Sequence, residues 1–140
     1  KVLSIPNAKD PDEFIKKLSK EELADFSRNQ VVLDEYNWIR YNKEILTGCK
    51  IADEQFLAKV KKNYEFSFKV NKSIFNRPSL FLLGKQDSSV GYKDAINIME
   101  YYPRGSFAIL DIAGHNLQIE QPQLFSSLVN EWLDRIEELL

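Results

Sequence analysis

The chain has 140 residues, of which 44% are hydrophobic and 29% are charged, a composition that predicts one ordinary globular core. The formal net charge of -2 provides no excess of positive charge for binding nucleic acid or an anionic membrane, so we expect neither as a partner. The single cysteine, Cys49, excludes an internal disulfide, and we expect it to be a small buried side chain near a helix end. No apolar run is long enough to span a bilayer and the start has no signal-peptide core, so we expect a cytoplasmic protein.

Residues 1–76 carry repeated signals for helix starts. Asp10-Pro11-Asp12-Glu13 predicts a helix near residues 11–18, with Asp10 as the N-cap, Pro11 in the first turn and Glu13 completing a capping box. Ser19-Lys20-Glu21-Glu22 repeats the signal and predicts a second helix near residues 20–27. This part of the chain is therefore expected to be mainly helical.

Three further elements are predicted before residue 77. A longer helix should cover about Val32 to Leu46, with Gly48 available as its C-terminal cap. Asp53 is placed to cap a fourth helix. Residues 64–70 alternate apolar and polar side chains, a pattern that suits a strand.

Aromatic side chains are frequent in this helical region. The simplest interpretation is that they pack small helices together, since aromatic stripes usually form core. Taken collectively, they could also form the wall of an apolar ligand pocket. The residues are Phe14, Phe26, Tyr36, Trp38, Tyr41, Phe56, Tyr64, Phe66, Phe68 and Phe75.

Residues 77–140 alternate strand and helix patterns. Apolar runs predict strands over 79–83 and 106–110, separated by a helix over 92–102, and Pro122 begins a final helix with one continuous apolar face. This order implies parallel strands in an α/β layer. A sheet of two strands leaves both outer edges unpaired, so we expect a further segment or a second copy to cover them.

Each predicted strand is followed by a glycine and an ionisable residue. Asp87 comes after the first strand and Gly84, whereas His115 comes directly after Gly114. Because carboxyl ends of parallel strands meet at one edge of a sheet, Asp87 and His115 are expected to meet there. A carboxylate that accepts the imidazole N–H fixes the tautomer and stabilises the imidazolium formed during nucleophilic catalysis.

These residues resemble the carboxyl-terminal part of α/β-hydrolase-fold proteins. The resemblance covers Pro78-Ser79-Leu80-Phe81-Leu82-Leu83-Gly84-Lys85-Gln86-Asp87 and then Ala113-Gly114-His115 with Glu120-Gln121-Pro122. It implies an α/β fold, here a partial α/β-hydrolase fold of parallel strands with flanking helices, and a Ser-Asp-His triad in which Asp87 is the acid and His115 the base. Residues 1–76 are similar in position to the helical cap of that family, and residues 77–140 to its carboxyl-terminal core segment.

The nucleophile motif of the family is missing. No serine has glycines two residues away on both sides, since Ser89 is followed by Gly91 but preceded by Asp87, and the His-Gly oxyanion motif is also missing. We therefore expect the chain to be the cap and carboxyl-terminal half of a longer hydrolase, inactive on its own because acid and histidine need a nucleophile and oxyanion donors.

Other polar residues are assigned supporting or alternative roles. Glu120 resembles the Glu of the family's Glu-x-Pro after the histidine, and we expect it to hold the histidine loop or cap the last helix. Asp111 and Asp94 are alternative acids, but Asp111 precedes the histidine too closely and Asp94 falls within a helix. With one histidine and one cysteine, no metal site and no cofactor are expected.

The resemblance implies hydrolysis of an ester, thioester or similar acyl bond of a small apolar substrate. An aspartate nucleophile, as in epoxide hydrolases and dehalogenases, is one alternative, and a non-catalytic interaction module derived from a hydrolase is another. The expected partners are the N-terminal half of the same hydrolase, or a self-associated dimer that covers the exposed strand edge.

Overall fold

The computed structural model describes residues 11–69 and 72–138. Its first part, up to residue 69, contains helices and no strand within the described residues. The predicted N-cap Asp10 lies outside the described residues. The helices are α1 (Pro11–Ile15), α2 (Lys20–Asn29), α3 (Glu35–Tyr41), a π-helical turn (Asn42–Leu46), α4 (Thr47–Ile51) and α5 (Glu54–Lys62).

Short polar side chains cap the starts of α2, α3 and α5. Ser19 and Glu22 form a complete capping box at α2, in which each side chain bonds the other residue's backbone N–H. Asp34 caps α3 through the N–H of Asn37, and Asp53 caps α5 through the N–H of Phe56. The predictions for Ser19 and Asp53 are confirmed.

Several predicted boundaries in the helical part are wrong. The first helix ends at Ile15, and the helix beginning at Glu35 continues through the π-helical turn to Ile51, so Gly48 lies inside it and is no cap. One glycine costs a helix interior only about 1 kcal/mol, so it does not end a helix that is anchored at Trp38 and Tyr41. Cys49 is exposed and not buried. Residues 64–69 form no strand, because no neighbouring strand pairs with them in the described chain.

A buried aromatic cluster holds the helical part together. Phe26 is fully buried, and its ring lies 5.2 Å from the ring of Trp38 and 5.6 Å from that of Tyr41. Phe14 completes the aromatic set, and Ile119 from the carboxyl-terminal part of the chain is buried in the same cluster. The helical part and the carboxyl-terminal part thus share one apolar core.

The sheet contains two parallel strands in the described residues, β1 (Ser79–Gly84) and β2 (Gly105–Leu110). The register pairs Ser79 with Gly105 and Gly84 with Leu110, so the carboxyl ends of both strands are level. The parallel arrangement predicted from the sequence is confirmed.

The connection between the strands is less regular than predicted. The prediction of a single helix over residues 92–102 is wrong. The segment forms one helical turn, α6 (Lys93–Ile96), and a 3₁₀ turn over Met99–Tyr101. After β2 come α7 (Leu117–Glu120) and α8 (Pro122–Glu137), the latter beginning with Pro122 in its first turn, as predicted.

Helix α8 covers one face of the sheet. Leu82 and Ala108 pack with Phe125 and Leu128 around the buried side chain of Leu110. Trp132 also donates a hydrogen bond from its indole N–H to the carbonyl of Pro78, over 3.1 Å. These contacts fix β1 and β2 against the final helix.

The opposite face of the sheet carries stacked aromatic rings. Phe81 and Phe107, paired across the strands, stack with centroids 4.3 Å apart, and Tyr102 packs edge-on against Phe81. The outer edge of each strand has no strand partner within the described ranges. None of the helices in those ranges is long and apolar enough to cross a bilayer.

Candidate active site

Backbone pairing continues beyond the carboxyl ends of both strands. The N–H of Lys85 donates to the carbonyl of Leu110 over 2.9 Å, and the N–H of Gln86 donates to the carbonyl of Ala113 over 3.0 Å. The Gln86 side chain adds two bonds, accepting from the N–H of Ala113 and donating to the Asp111 carboxylate. The segment after β1 is therefore tied to the segment after β2.

Gly84 allows the two segments to approach this closely. A Cβ atom at Gly84 would lie 2.3 Å from the carbonyl oxygen of Gly114 and 2.6 Å from that of Ala113. No side chain fits at such distances, so the position requires glycine. The glycine that ends the first apolar run thus lets the histidine-bearing loop (residues 111–116, here called the histidine loop) lie against the end of β1.

This arrangement brings Asp87 and His115 into contact. Asp87 Oδ2 lies 3.2 Å from Nδ1 of His115. Because an ionised carboxylate can only accept, this contact places a proton on Nδ1. The Asp87 side chain is largely buried, whereas 46% of the His115 side chain is exposed. The imidazole thus has an anchored Nδ1 and an Nε2 without a hydrogen-bond partner among the described residues.

The turn that follows Asp87 stabilises the charged form of its carboxylate. Partial burial raises the pKa of this carboxyl. Hydrogen bonds from the N–H groups of Val90 and Ser89 and from the His115 ring lower the pKa by more than burial raises it, so the pKa lies below its ordinary value. The two backbone bonds, 2.8 Å from Ser89 and 3.1 Å from Val90, both reach Oδ1. Oδ2 is left for His115, which suits a carboxylate that orients an imidazole.

Glu120 lies behind the histidine loop and is buried. Its Oε2 accepts from the N–H of Gly114 over 2.5 Å. Its Oε1 accepts from the N–H groups of Val31 and Val32, the latter over 2.9 Å. The carboxylate thus bonds the histidine loop on one side and the α2–α3 connection on the other.

A cleft of about 140 Å³ lies between the end of α2 and His115. Its other lining residues are mostly polar and include Arg28, Gln30 and Ser88. None of the ten aromatic residues of the helical region lines it; four of them are buried in the core and the other six are exposed. The aromatic residues act as core where they are buried, and the wall of this cleft is polar.

The alternative acids do not contact the histidine. Asp111 pairs with the Gln86 amide at 2.7 Å, and its pKa is lowered by that bond and by the Ile112 N–H. Asp94 lies exposed in α6 and has no hydrogen bond to His115 among the described residues. Of the carboxylates considered in the sequence, the structure therefore brings only Asp87 to the His115 ring.

Two glutamines to which the sequence analysis assigns no role hold this site. Gln86 bridges the two strand ends, and Gln121 donates to the carbonyls of Asp111 and Ile112. Ile112 needs this support because its φ of 52° is unusual for a β-branched residue. The described residues contain no group of three or more His, Cys, Asp or Glu side chains that could hold a metal ion.

Comparison with known proteins identifies a similar solved structure. The chain resembles an alpha/beta superfamily hydrolase from Oenococcus oeni PSU-1, with 27% identity and a TM-score of 0.75. The similarity covers 85% of this chain and 45% of that hydrolase, so the chain spans less than half of its length. No protein-family model matches the chain, and no curated protein does. The chain has an α/β-hydrolase-like fold, with helices and a parallel two-stranded sheet.

Proposed function

We propose that this chain carries the acid and the histidine of a hydrolase that cleaves an ester, thioester or similar acyl bond. The observation that supports the proposal best is the 3.2 Å contact between Asp87 Oδ2 and His115 Nδ1 at the carboxyl edge of a parallel sheet. The hydrolase-like fold supports the same reaction class. The order of the two residues, acid before histidine, agrees with that of a Ser-Asp-His triad.

In the proposed mechanism His115 Nε2 removes the proton from the nucleophile and later returns it to the leaving group. Asp87 orients the ring through Nδ1 and stabilises the imidazolium. Its lowered pKa keeps it charged near neutral pH, where this stabilisation is needed. The side chain of His115 is 46% exposed, which leaves Nε2 room to meet a nucleophile and substrate.

The nucleophile and the oxyanion donors are proposed to lie outside this chain. The sequence has no serine flanked by glycines at the required spacing. The chain spans 45% of the similar hydrolase, which is consistent with a carboxyl-terminal portion. We further propose that an N-terminal half of the same hydrolase, or a second copy of the chain, pairs with the open edge of the sheet.

The proposed substrate is small and has an apolar acyl part. Apolar surface is available on α5 and beyond it, where Phe56, Tyr64, Phe66 and Phe68 are all more than half exposed. In the proposal, residues 1–76 act as the cap and such side chains enclose the acyl part, while the polar cleft beside His115 receives the polar end of the substrate.

The proposal is tested by assaying the intact gene product on nitrophenyl esters of increasing acyl length. We expect His115→Ala to lower kcat by at least about 1,000-fold and Asp87→Asn to lower it strongly as well, through loss of the correct tautomer. Asp111→Asn is the matched control, because Asp111 is a carboxylate at the same sheet edge that bonds Gln86 and not His115. Equal rates for wild type and His115→Ala would contradict the proposal.

The isolated 140-residue chain provides a second test. We expect no His115-dependent turnover from it, because the bond-forming group and the oxyanion donors are missing. Mass spectrometry of the trapped intermediate of the intact protein would then identify the nucleophile. An acyl group on serine after reaction with a nitrophenyl ester would support the triad, whereas an alkyl ester on aspartate after reaction with an epoxide or an alkyl halide would identify aspartate as the nucleophile.

A further inference from the structure

Glu120 is a buried carboxylate whose partners are all backbone N–H groups. Only 9% of the residue is exposed, and no lysine or arginine within the described ranges forms an ion pair with it. It accepts from Val31 and Val32 through one oxygen and from Gly114 through the other. Bonds from N–H groups to a charged acceptor are short and strong, and here they stabilise a charge that lacks a cation.

The two segments that Glu120 joins are distant in the sequence. Val32 precedes Glu120 by 88 residues and lies between α2 and α3, whereas Gly114 directly precedes His115. The space around Gly114 is filled: a Cβ there would lie 3.3 Å from the Val31 side chain and 3.4 Å from Glu120 Oε2. Glu120 therefore links the α2–α3 connection directly to the residue that precedes the histidine, and a longer bond of 3.4 Å from the Asn116 side chain to the Asn29 carbonyl is a second tie between the histidine loop and α2.

We propose that Glu120 is a positioning residue that couples the α2–α3 connection to the histidine loop and thereby holds His115 in line with Asp87. The catalytic consequence rests on the function proposed above. A displacement of the α2–α3 connection would pass through the carboxylate to Gly114 and from there to the imidazole. The helical part would thus have two roles: it would cover the substrate, and it would control when Asp87 and His115 are aligned.

The test uses the intact gene product and the substitution Glu120→Gln. Glutamine has the same length but one acceptor oxygen, and its NH₂ group would face a donor, so one of the two segments is released. We expect kcat to fall about 10- to 100-fold with KM unchanged, since small misplacements of a reacting group reduce rate more than binding. The control is Glu131→Gln on α8, because Glu131 forms only a surface pair with Arg135 and should leave kcat unchanged.

A purely structural contact is provided by Arg40. Its guanidinium donates to the carbonyl of Gln118 over 3.2 Å and so also ties α3 to α7, without touching Gly114. We expect Arg40→Met to lower Tm and to leave kcat of the folded enzyme unchanged. A lower Tm shared by Arg40→Met and Glu120→Gln, with loss of kcat in Glu120→Gln alone, would support positioning.

A second measurement does not depend on hydrolysis. The proton on His115 Nδ1 should give a hydrogen-bonded NMR resonance, assigned by its disappearance in His115→Gln, and Glu120→Gln should shift or broaden it while Arg40→Met leaves it in place. Unchanged kcat and an unchanged resonance in Glu120→Gln would overturn the proposal. If His115→Ala left hydrolysis intact, the proposed function would fail and the resonance would still decide the role of Glu120. If Glu120→Gln did not fold, Glu120→Asp, which keeps the charge but is too short for both segments, would be judged by the same two results.

Discussion

Replacement of Gly84 by alanine tests whether the close approach of β1 and the histidine loop builds the site. The new Cβ would lie 2.3 Å, 2.6 Å and 2.9 Å from three backbone atoms of Gly114 and Ala113. To reach even a 3.0 Å contact, the two backbones would have to separate by roughly 0.7 Å. That separation would stretch the 3.0 Å bond from the Gln86 N–H to Ala113 and the 3.2 Å bond from the Ala113 N–H to the Gln86 side chain.

Loss of two such bonds at about 1 kcal/mol each, together with residual overlap, predicts a destabilisation of about 2–3 kcal/mol. For the intact gene product this corresponds to a fall in Tm of roughly 5–10 °C, measured by thermal unfolding. Under the proposed function, ester hydrolysis should fall as well, because a shift of Gly114 would also displace His115. Gly48→Ala is the control of opposite sign: Gly48 lies inside a helix with open space around it, and alanine should stabilise it by about 1 kcal/mol. A Gly84→Ala variant with wild-type Tm and activity would refute the reasoning.

Two further predictions concern Ile112 and Asp87. Ile112→Gly should raise the free energy of unfolding by about 1 kcal/mol, because a φ of 52° strains a β-branched residue but not glycine, and the Ile112 side chain is half-exposed. Ile112→Val, which is also β-branched, should not raise it. Thermal unfolding of both variants checks this, and a lower Tm for the glycine variant would contradict it. The pKa of Asp87 is lowered from its ordinary 3.8, so its charge stabilises the fold above that pH, and the stabilisation is lost as pH falls through the lowered value. The difference in Tm between wild type and Asp87→Asn should therefore be largest near neutral pH and should shrink below about pH 4. A difference that does not depend on pH would contradict this.

The parts of the fold that the sequence predicts are those with a local physical cause. The strands at residues 79–84 and 105–110 follow from short apolar runs bounded by glycine, and the starts of α2 and α5 follow from the capping residues Ser19 and Asp53. The order of strand, connection, strand and helix then implies parallel pairing, which is observed. The meeting of Asp87 and His115 follows from the same rule.

The parts that the sequence does not predict depend on contacts between distant segments. The helix from Glu35 is anchored by the buried side chains of Trp38 and Tyr41 and continues past Gly48, because one glycine costs only about 1 kcal/mol in a helix. The alternation in residues 64–69 lacks a strand to pair with in the described chain. From the sequence Glu120 is predicted to hold the histidine loop or cap the last helix, but its partners at Val31 and Val32 are not predictable. They are backbone N–H groups, which every residue except proline carries. Such partners leave no signature in the side-chain pattern.

The acid–histidine pair is built by contacts that lie entirely within this chain. The level strand ends bring the two residues together, Gly84 permits the close approach, Gln86 ties the strand ends, and Glu120 holds the loop from behind. None of these contacts involves a nucleophile, so the geometry of Asp87 and His115 is independent of whether serine or aspartate stands opposite the imidazole. Under the function proposed above, the same pair would therefore serve either reaction, since the nucleophile would determine the covalent intermediate and the pair would supply the orientation and the proton transfer.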